Sequence, residues 1–152
     1  MSQITRTDMK GNPEVIAVLN SLLTDHHTSY VEFTTRAALC DKWGYKDLEE
    51  FFEKLAKEDL ESIKKLMERI VFLDGVSTLA NINEVVVGDD VYEMLTLSAS
   101  SKTLLIASYS DGVDKSMSFK DYGTRHMLEK KIVKEDEYLA DIEAKITQLE
   151  RG

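Results

Sequence analysis

Apolar residues recur at steps of three and four along four long stretches of the chain, the spacing of one face of an α-helix. The first stretch opens at Asn12-Pro13-Glu14, which reads as a helix start: Asn as the cap, Pro in the first turn, then an acid. It runs over roughly 13–42 with the stripe Val15, Leu19, Leu22, Tyr30, Phe33 and Ala37, and Trp43-Gly44 stops it. The second covers roughly 46–73 through Leu48, Phe52, Leu55, Ile63, Leu66, Ile70 and Leu73, with Gly75 expected as its left-handed stop. Gly88-Asp89-Asp90 opens a third over about 90–117, with Val91, Leu95, Ala99, Ile106, Tyr109 and Val113 on its stripe and Gly112 tolerated within it. Ser118 and Asp121 restart the chain as a fourth over about 121–150, through Leu128, Ile132, Leu139, Ile142, Ile146 and Leu149.

Connection lengths then set the topology. The first and third connections are short. Residues 76–88 form a long, moderately apolar segment (Leu79, Ile82, Val85, Val86, Val87) that can span a bundle at roughly 3.3 Å per residue and is expected to pack on it. Short, long, short is the pattern of an all-α, ferritin-like antiparallel four-helix bundle with a crossover between the second and third helices. The expected division is a polar tail over 1–11 and a bundle over 12–152.

Each stripe is interrupted near its middle by one ionisable residue: His26, Asp59, Lys102 and Glu135. A buried lone charge is costly, so such groups are paired, hydrogen-bonded or metal-bound. Four interruptions at one height predict a shared polar cluster in the bundle core, where helical proteins build metal sites. Lys102 alters that chemistry, because a fixed ammonium repels divalent cations.

Composition narrows the classes. The net charge of −9, from 28 acids against 19 Lys and Arg, argues against a nucleic-acid binder, and an acidic surface attracts cations such as iron. The lone Cys40 forms no internal disulfide and reads as a small packed residue. The first residues lack the apolar core of a signal peptide, and no apolar run is long enough for a membrane span, so a cytoplasmic location is expected. The adjacent His26 and His27 point about 100° apart on a helix and do not share an ion. His27 and His126 are expected at the surface, and Met67, Met94 and Met127 as core filler.

The runs MKGNPEVIAVLNSLL (Met9–Leu23), KWGYKDL (Lys42–Leu48), MERIVFLDG (Met67–Gly75) and VGDDVYEML (Val87–Leu95) resemble bacterioferritin, the haem-containing ferritin, and the similarity covers about residues 9–150. The resemblance implies a di-iron ferroxidase centre built from a Glu on the first helix, Glu-x-x-His on the second, a Glu on the third and Glu-x-x-His on the fourth. Those places hold His26, then Asp59 with Ser62, then Lys102, then Glu135 with Tyr138. Only Glu135 is retained. The place of the haem-ligating Met holds Leu60, which cannot ligate iron. The family's short fifth helix, which lines a shell pore, has no counterpart here, and a closed cage is not expected.

The expected cluster has Lys102 standing where a metal stood and pairing with both Asp59 and Glu135, with Ser62, Tyr138 and His26 adding hydrogen bonds. The alternative is that Lys102 snorkels outward and leaves a wet polar pocket. No catalytic residue, no metal and no haem are expected; iron enters only through the resemblance. The function that follows is a bacterioferritin-like subunit of iron storage or iron handling that has lost ferroxidase activity and serves as a structural, non-catalytic partner. It would act as a homodimer or in a hetero-oligomer with an intact bacterioferritin subunit, without nucleic acid or membrane. Two alternatives stay open: a small dimeric interaction module unconnected with iron oxidation, and an enzyme with a single metal at His26, Asp59 and Glu135.

Overall fold

A computed structural model describes residues 11–78 and 82–152 of the chain. The expected tail, apart from Gly11, and Leu79 in the crossover lie outside these residues. The described residues form helices α1 (Pro13–Trp43), α2 (Lys46–Phe72), α3 (Val91–Ser118) and α4 (Tyr122–Arg151). Asn12 caps α1, its Oδ1 accepting from the Glu14 amide at 2.8 Å. Asp90 caps α3 through the Glu93 amide at 2.8 Å, and Glu93 returns the bond to the Asp89 amide at 2.9 Å. Asp121 caps α4 through the Thr124 amide at 3.0 Å. Each cap satisfies a backbone donor that the first turn leaves open.

The helix stops follow one pattern with one correction. Gly44 ends α1 in the left-handed region at φ 83°, where a side chain would be strained. At the end of α2 the left-handed residue is Asp74, φ 61°, not Gly75. Gly75 is the next residue, and its amide reaches back to the Ile70 carbonyl at 2.9 Å. A Cβ there would meet Ile16 Cγ2 at 2.9 Å, so close packing against α1, rather than backbone conformation, calls for the glycine. Lys120 plays the part of Asp74 between α3 and α4, at φ 58°.

Side-chain contacts fix the helix directions. Lys115 near the end of α3 bridges Glu14 at the start of α1 (3.3 Å), and Arg69 near the end of α2 bridges Asp121 before α4 (3.2 Å). Tyr92 at the start of α3 meets Glu150 at the end of α4 (3.0 Å). α1 and α4 therefore run one way and α2 and α3 the other, the up-down-down-up order of a ferritin-like bundle.

The crossover packs on the bundle as expected, with Val87 against the apolar core, but polar contacts do much of the holding. Ile82 and Val86 are 46% and 47% exposed. The segment is held by a polar row on α1 spaced by helical turns. Asn20 bonds both the Val76 carbonyl and the Thr78 amide (3.0 and 2.8 Å). Thr28 accepts from the Asn83 amide (2.9 Å), and Glu32 from the Val86 amide (2.9 Å). Arg36 donates to the carbonyls of Val87 (2.9 Å) and Val86 (2.8 Å). An extended segment without a strand partner must satisfy its backbone in this way or leave it to water.

Two apolar clusters fill the bundle. One lies toward the start of α1, around Leu19, Leu22, Leu66, Ile70, Tyr109 and Leu128. The other lies toward its end, around Phe33, Cys40, Phe52, Leu55, Met94 and Ile142. On α3 the buried face turns slightly from the expected one: Leu105 is buried and Ile106 only half-buried. Gly112 is part of this face, where a Cβ would stand 3.0 Å from both Leu128 and Val18.

Candidate functional site

Between the two apolar clusters lies a layer of buried polar side chains. His26, Asp59, Ser62, Lys102 and Glu135 are each no more than 2% exposed, and Tyr138 is 8% exposed. Each sits mid-helix on the face its helix buries, so the same 3.6-residue period that builds the core aims them inward.

The layer resolves into two halves. In the first, His26 Nδ1 lies 2.8 Å from Asp59 Oδ1 and Nε2 lies 2.7 Å from the Tyr109 hydroxyl. Ser29 donates to Asp59 Oδ2 at 2.6 Å. Both ring nitrogens and both carboxylate oxygens are thus engaged. Burial, reinforced by the charges of Glu135 and Asp59, holds the Tyr109 phenol well above its ordinary pKa.

In the second half, Lys102 Nζ donates to Glu135 Oε2 at 2.7 Å. The ammonium lies 5.6 Å from the ring centre of Phe33 and 5.5 Å from that of Tyr138, within cation–π range. Lys131, one turn before Glu135, approaches its other oxygen at 4.0 Å and donates to the Ser62 hydroxyl. One carboxylate thus faces two ammonium groups. Burial lowers the pKa of Lys131 first; Glu135 raises it and Lys102 lowers it further.

Two expectations about partners change, and the outward-reaching alternative for Lys102 is not met. Lys102 pairs with Glu135 but not with Asp59, which His26 and Ser29 take. Tyr138 turns its hydroxyl away from the layer to Glu58, at 2.7 Å. Lys102 does not snorkel; its side chain is 3% exposed. Tyr109, Ser29, Lys131 and Glu58 were not anticipated as partners. Lys131 had a signal, since it lies four residues from Glu135 and therefore on the same helical face.

Other candidates separate from the layer. His126 is exposed. His27 is half-buried rather than at the surface, its Nε2 enclosed and without a hydrogen-bond partner among the described residues. Leu60 is 47% exposed on the outer side of α2.

This donor set does not fit a pair of iron ions. Among the described residues no three His, Cys, Asp or Glu side chains converge as a cation site. A divalent ion about 4 Å from the Lys102 ammonium would be repelled by roughly 8 kcal/mol at an effective dielectric constant of about 20. The single-metal arrangement at His26, Asp59 and Glu135 meets the same ammonium and a histidine with both nitrogens in use.

Comparison with known proteins locates the chain. The model of the ferritin-like domain matches residues 16–152. The chain is 28% identical over 142 residues to the bacterioferritin of Brucella melitensis, covering 93% of this chain and 84% of that one. It is 23% identical to the bacterioferritin of Mycobacterium tuberculosis over 142 residues, 93% of this chain and 87% of that one. It is 26% identical to the bacterial ferritin of Pseudomonas aeruginosa over 129 residues, 85% and 83% of the two chains.

Proposed function

The chain belongs to the ferritin-like domain family, and from that premise we propose that it is a bacterioferritin-like subunit for iron storage or iron handling that has lost ferroxidase activity. Residues 12–152 form its single bundle domain, and its role in an assembly is structural. The observation that carries this reading is the Lys102–Glu135 contact of 2.7 Å at the height where the bacterioferritin resemblance places a bridging acid. A salt bridge there replaces a metal bridge with a fixed internal charge, which gives a helix bundle its polar centre without redox chemistry. No helix among the described residues is long and apolar enough to cross a membrane, which accords with a cytoplasmic protein.

Aerobic oxidation of Fe(II) tests the loss of activity. With Lys102 in the bridging place and Ser62 and Tyr138 in the histidine places, oxidation with the purified protein proceeds at the protein-free rate. A fast phase stoichiometric with protein would overturn the reading.

The outer α1–α2 face supports a self-contact. It carries a groove of about 500 Å³ where Tyr30, Ala37, Ala56 and Leu60 lie beside Asp41, Glu49, Glu53 and Lys57, with Leu60 in the place of the haem ligand. A native mass spectrum of the chain made alone is expected to give a homodimer without haem. A cage-sized particle would overturn the dimer, and one haem per two subunits would show that another residue ligates. Co-expression with an intact bacterioferritin tests the mixed assembly, which predicts particles containing both chains.

A further inference from the structure

The chain carries −9 overall, yet one groove on it is strongly cationic. It lies open to solvent between the second half of α2 and the first half of α4, has a volume of about 520 Å³, and is lined by Lys65, Arg69, Lys130, Lys131 and Lys134. Glu68 is the single carboxylate of its lining, and Phe72 and Met127 give it an apolar wall.

Most of this charge is incompletely neutralised. Lys65 and Lys130 have no carboxylate at salt-bridge distance among the described residues. Lys134 reaches Glu137 only at 3.9 Å on the surface. Lys131 shares Glu135 at 4.0 Å with Lys102, which holds that carboxylate at 2.7 Å. Lys130 and Lys134 are also one turn apart on one helix, a like-charge spacing that costs a few tenths of a kcal/mol.

Arg69 is held ready within the groove. Its Nε donates to Thr124 at 3.0 Å and its Nη2 to Asp121 at 3.2 Å, and among the described residues Nη1 has no hydrogen-bond partner. The guanidinium lies 4.6 Å from the ring centre of Phe72. A Cβ on Gly123 would stand 2.6 Å from Nη2, so the glycine makes room for this placement.

We propose that the α2–α4 groove is a binding site for a compact phosphate anion, held by Lys65, Arg69, Lys130 and Lys131. Phosphate oxygens accept from several ammonium and guanidinium donors at once, which suits a set of cationic side chains lining one open groove. A long polyanion fits less well, because the cationic residues line one groove of a chain that carries −9 overall. Lys131, whose ammonium already meets Ser62 and Glu135, adds its charge to the lining. The shared chemistry is a phosphate group, whether free or carried by a nucleotide.

Calorimetric titration of the purified full chain at low salt tests the site, with inorganic pyrophosphate as the main probe and ADP as a second arm. Saturable pyrophosphate binding is expected, weakening as salt rises. Lys65→Gln combined with Lys130→Gln alters two exposed side chains and leaves the core intact, so folding is checked by circular dichroism and affinity is expected to fall at least tenfold. Lys57→Gln, on the outer α1–α2 groove, is expected to leave binding unchanged. Tighter binding of ADP assigns a nucleotide, and equal or weaker binding assigns inorganic phosphate chemistry. No saturable heat up to millimolar pyrophosphate, or an unchanged affinity in the double variant, overturns the site.

Discussion

Lys102→Met is expected to destabilise the fold by about 3 kcal/mol at neutral pH, the lower end of the roughly 3–5 kcal/mol that breaking one side of a buried ion pair costs. The side chains of Lys102 and Glu135 are 3% and 2% exposed, so water cannot replace the lost ammonium without opening the bundle. The cost stays near the lower end because Lys131 remains 4.0 Å from the other carboxylate oxygen. In a chain of this length that corresponds to a fall in melting temperature of roughly 6–12 °C. Glu135→Gln in the same chain is expected to recover most of the loss, since the uncompensated charge is then gone. Asp59→Asn should recover little, because His26 and Ser29 hold Asp59. Thermal unfolding of the single and double variants measures the coupling. A Lys102→Met protein as stable as the parent would mean that the ammonium is already hydrated and the pair contributes nothing.

Arg36→Met is expected to cost about as much, roughly 3 kcal/mol, but in a different place, since hydrogen bonds to a charged group contribute about 1.5–3 kcal/mol each and do not add fully. Arg36 is 1% exposed and donates to the Val86 and Val87 carbonyls and, at 3.0 Å, to Ser98. Burial lowers its pKa and the charge of Glu32 raises it. Removing the guanidinium leaves Glu32 buried without that counter-charge and two carbonyls that regain partners only if the crossover lifts into water. Hydrogen exchange should therefore show faster exchange at the Asn83 and Val86 amides, with α2 and α4 little changed. Unaltered protection of the Val86 amide would rule out Arg36 as the anchor of the crossover.

The sequence was most informative where local chemistry decides the structure. Asn12, Asp90 and Asp121 announce helix starts because a short polar side chain caps an open amide whatever the rest of the chain does. The polar layer was legible because His26, Asp59, Lys102 and Glu135 interrupt otherwise apolar stripes. Who pairs with whom was not. Helical period says which face a residue is on, but the rotation and offset between helices decide whether Lys102 reaches one acid or two, and whether the Tyr138 hydroxyl points in or out. Tyr109 illustrates the same limit: it read as an apolar stripe residue, while its hydroxyl closes on His26 across the bundle. The crossover was half legible for another reason. Its valines and isoleucine announced packing on the bundle, which Val87 makes, but the residues that hold its backbone are on α1. Asn20, Thr28, Glu32 and Arg36 form a polar stripe that makes sense only once an unpaired backbone lies beside it.

The polar layer also sets a mechanical condition on the bundle. Apolar helix faces tolerate sliding, since one aliphatic side chain replaces another with little loss. A slip of one turn, about 5.4 Å, would carry Lys102 out of reach of Glu135 and into the leucine and phenylalanine clusters on either side. Burying an unpaired ion there costs several kcal/mol, far more than a repacked contact. The charges at mid-height therefore act as an alignment pin: they admit one vertical registration of the four helices and reject its neighbours. Such a pin is useful whether or not the layer ever holds a metal, and it gives this chain a physical reason to keep charges in its core.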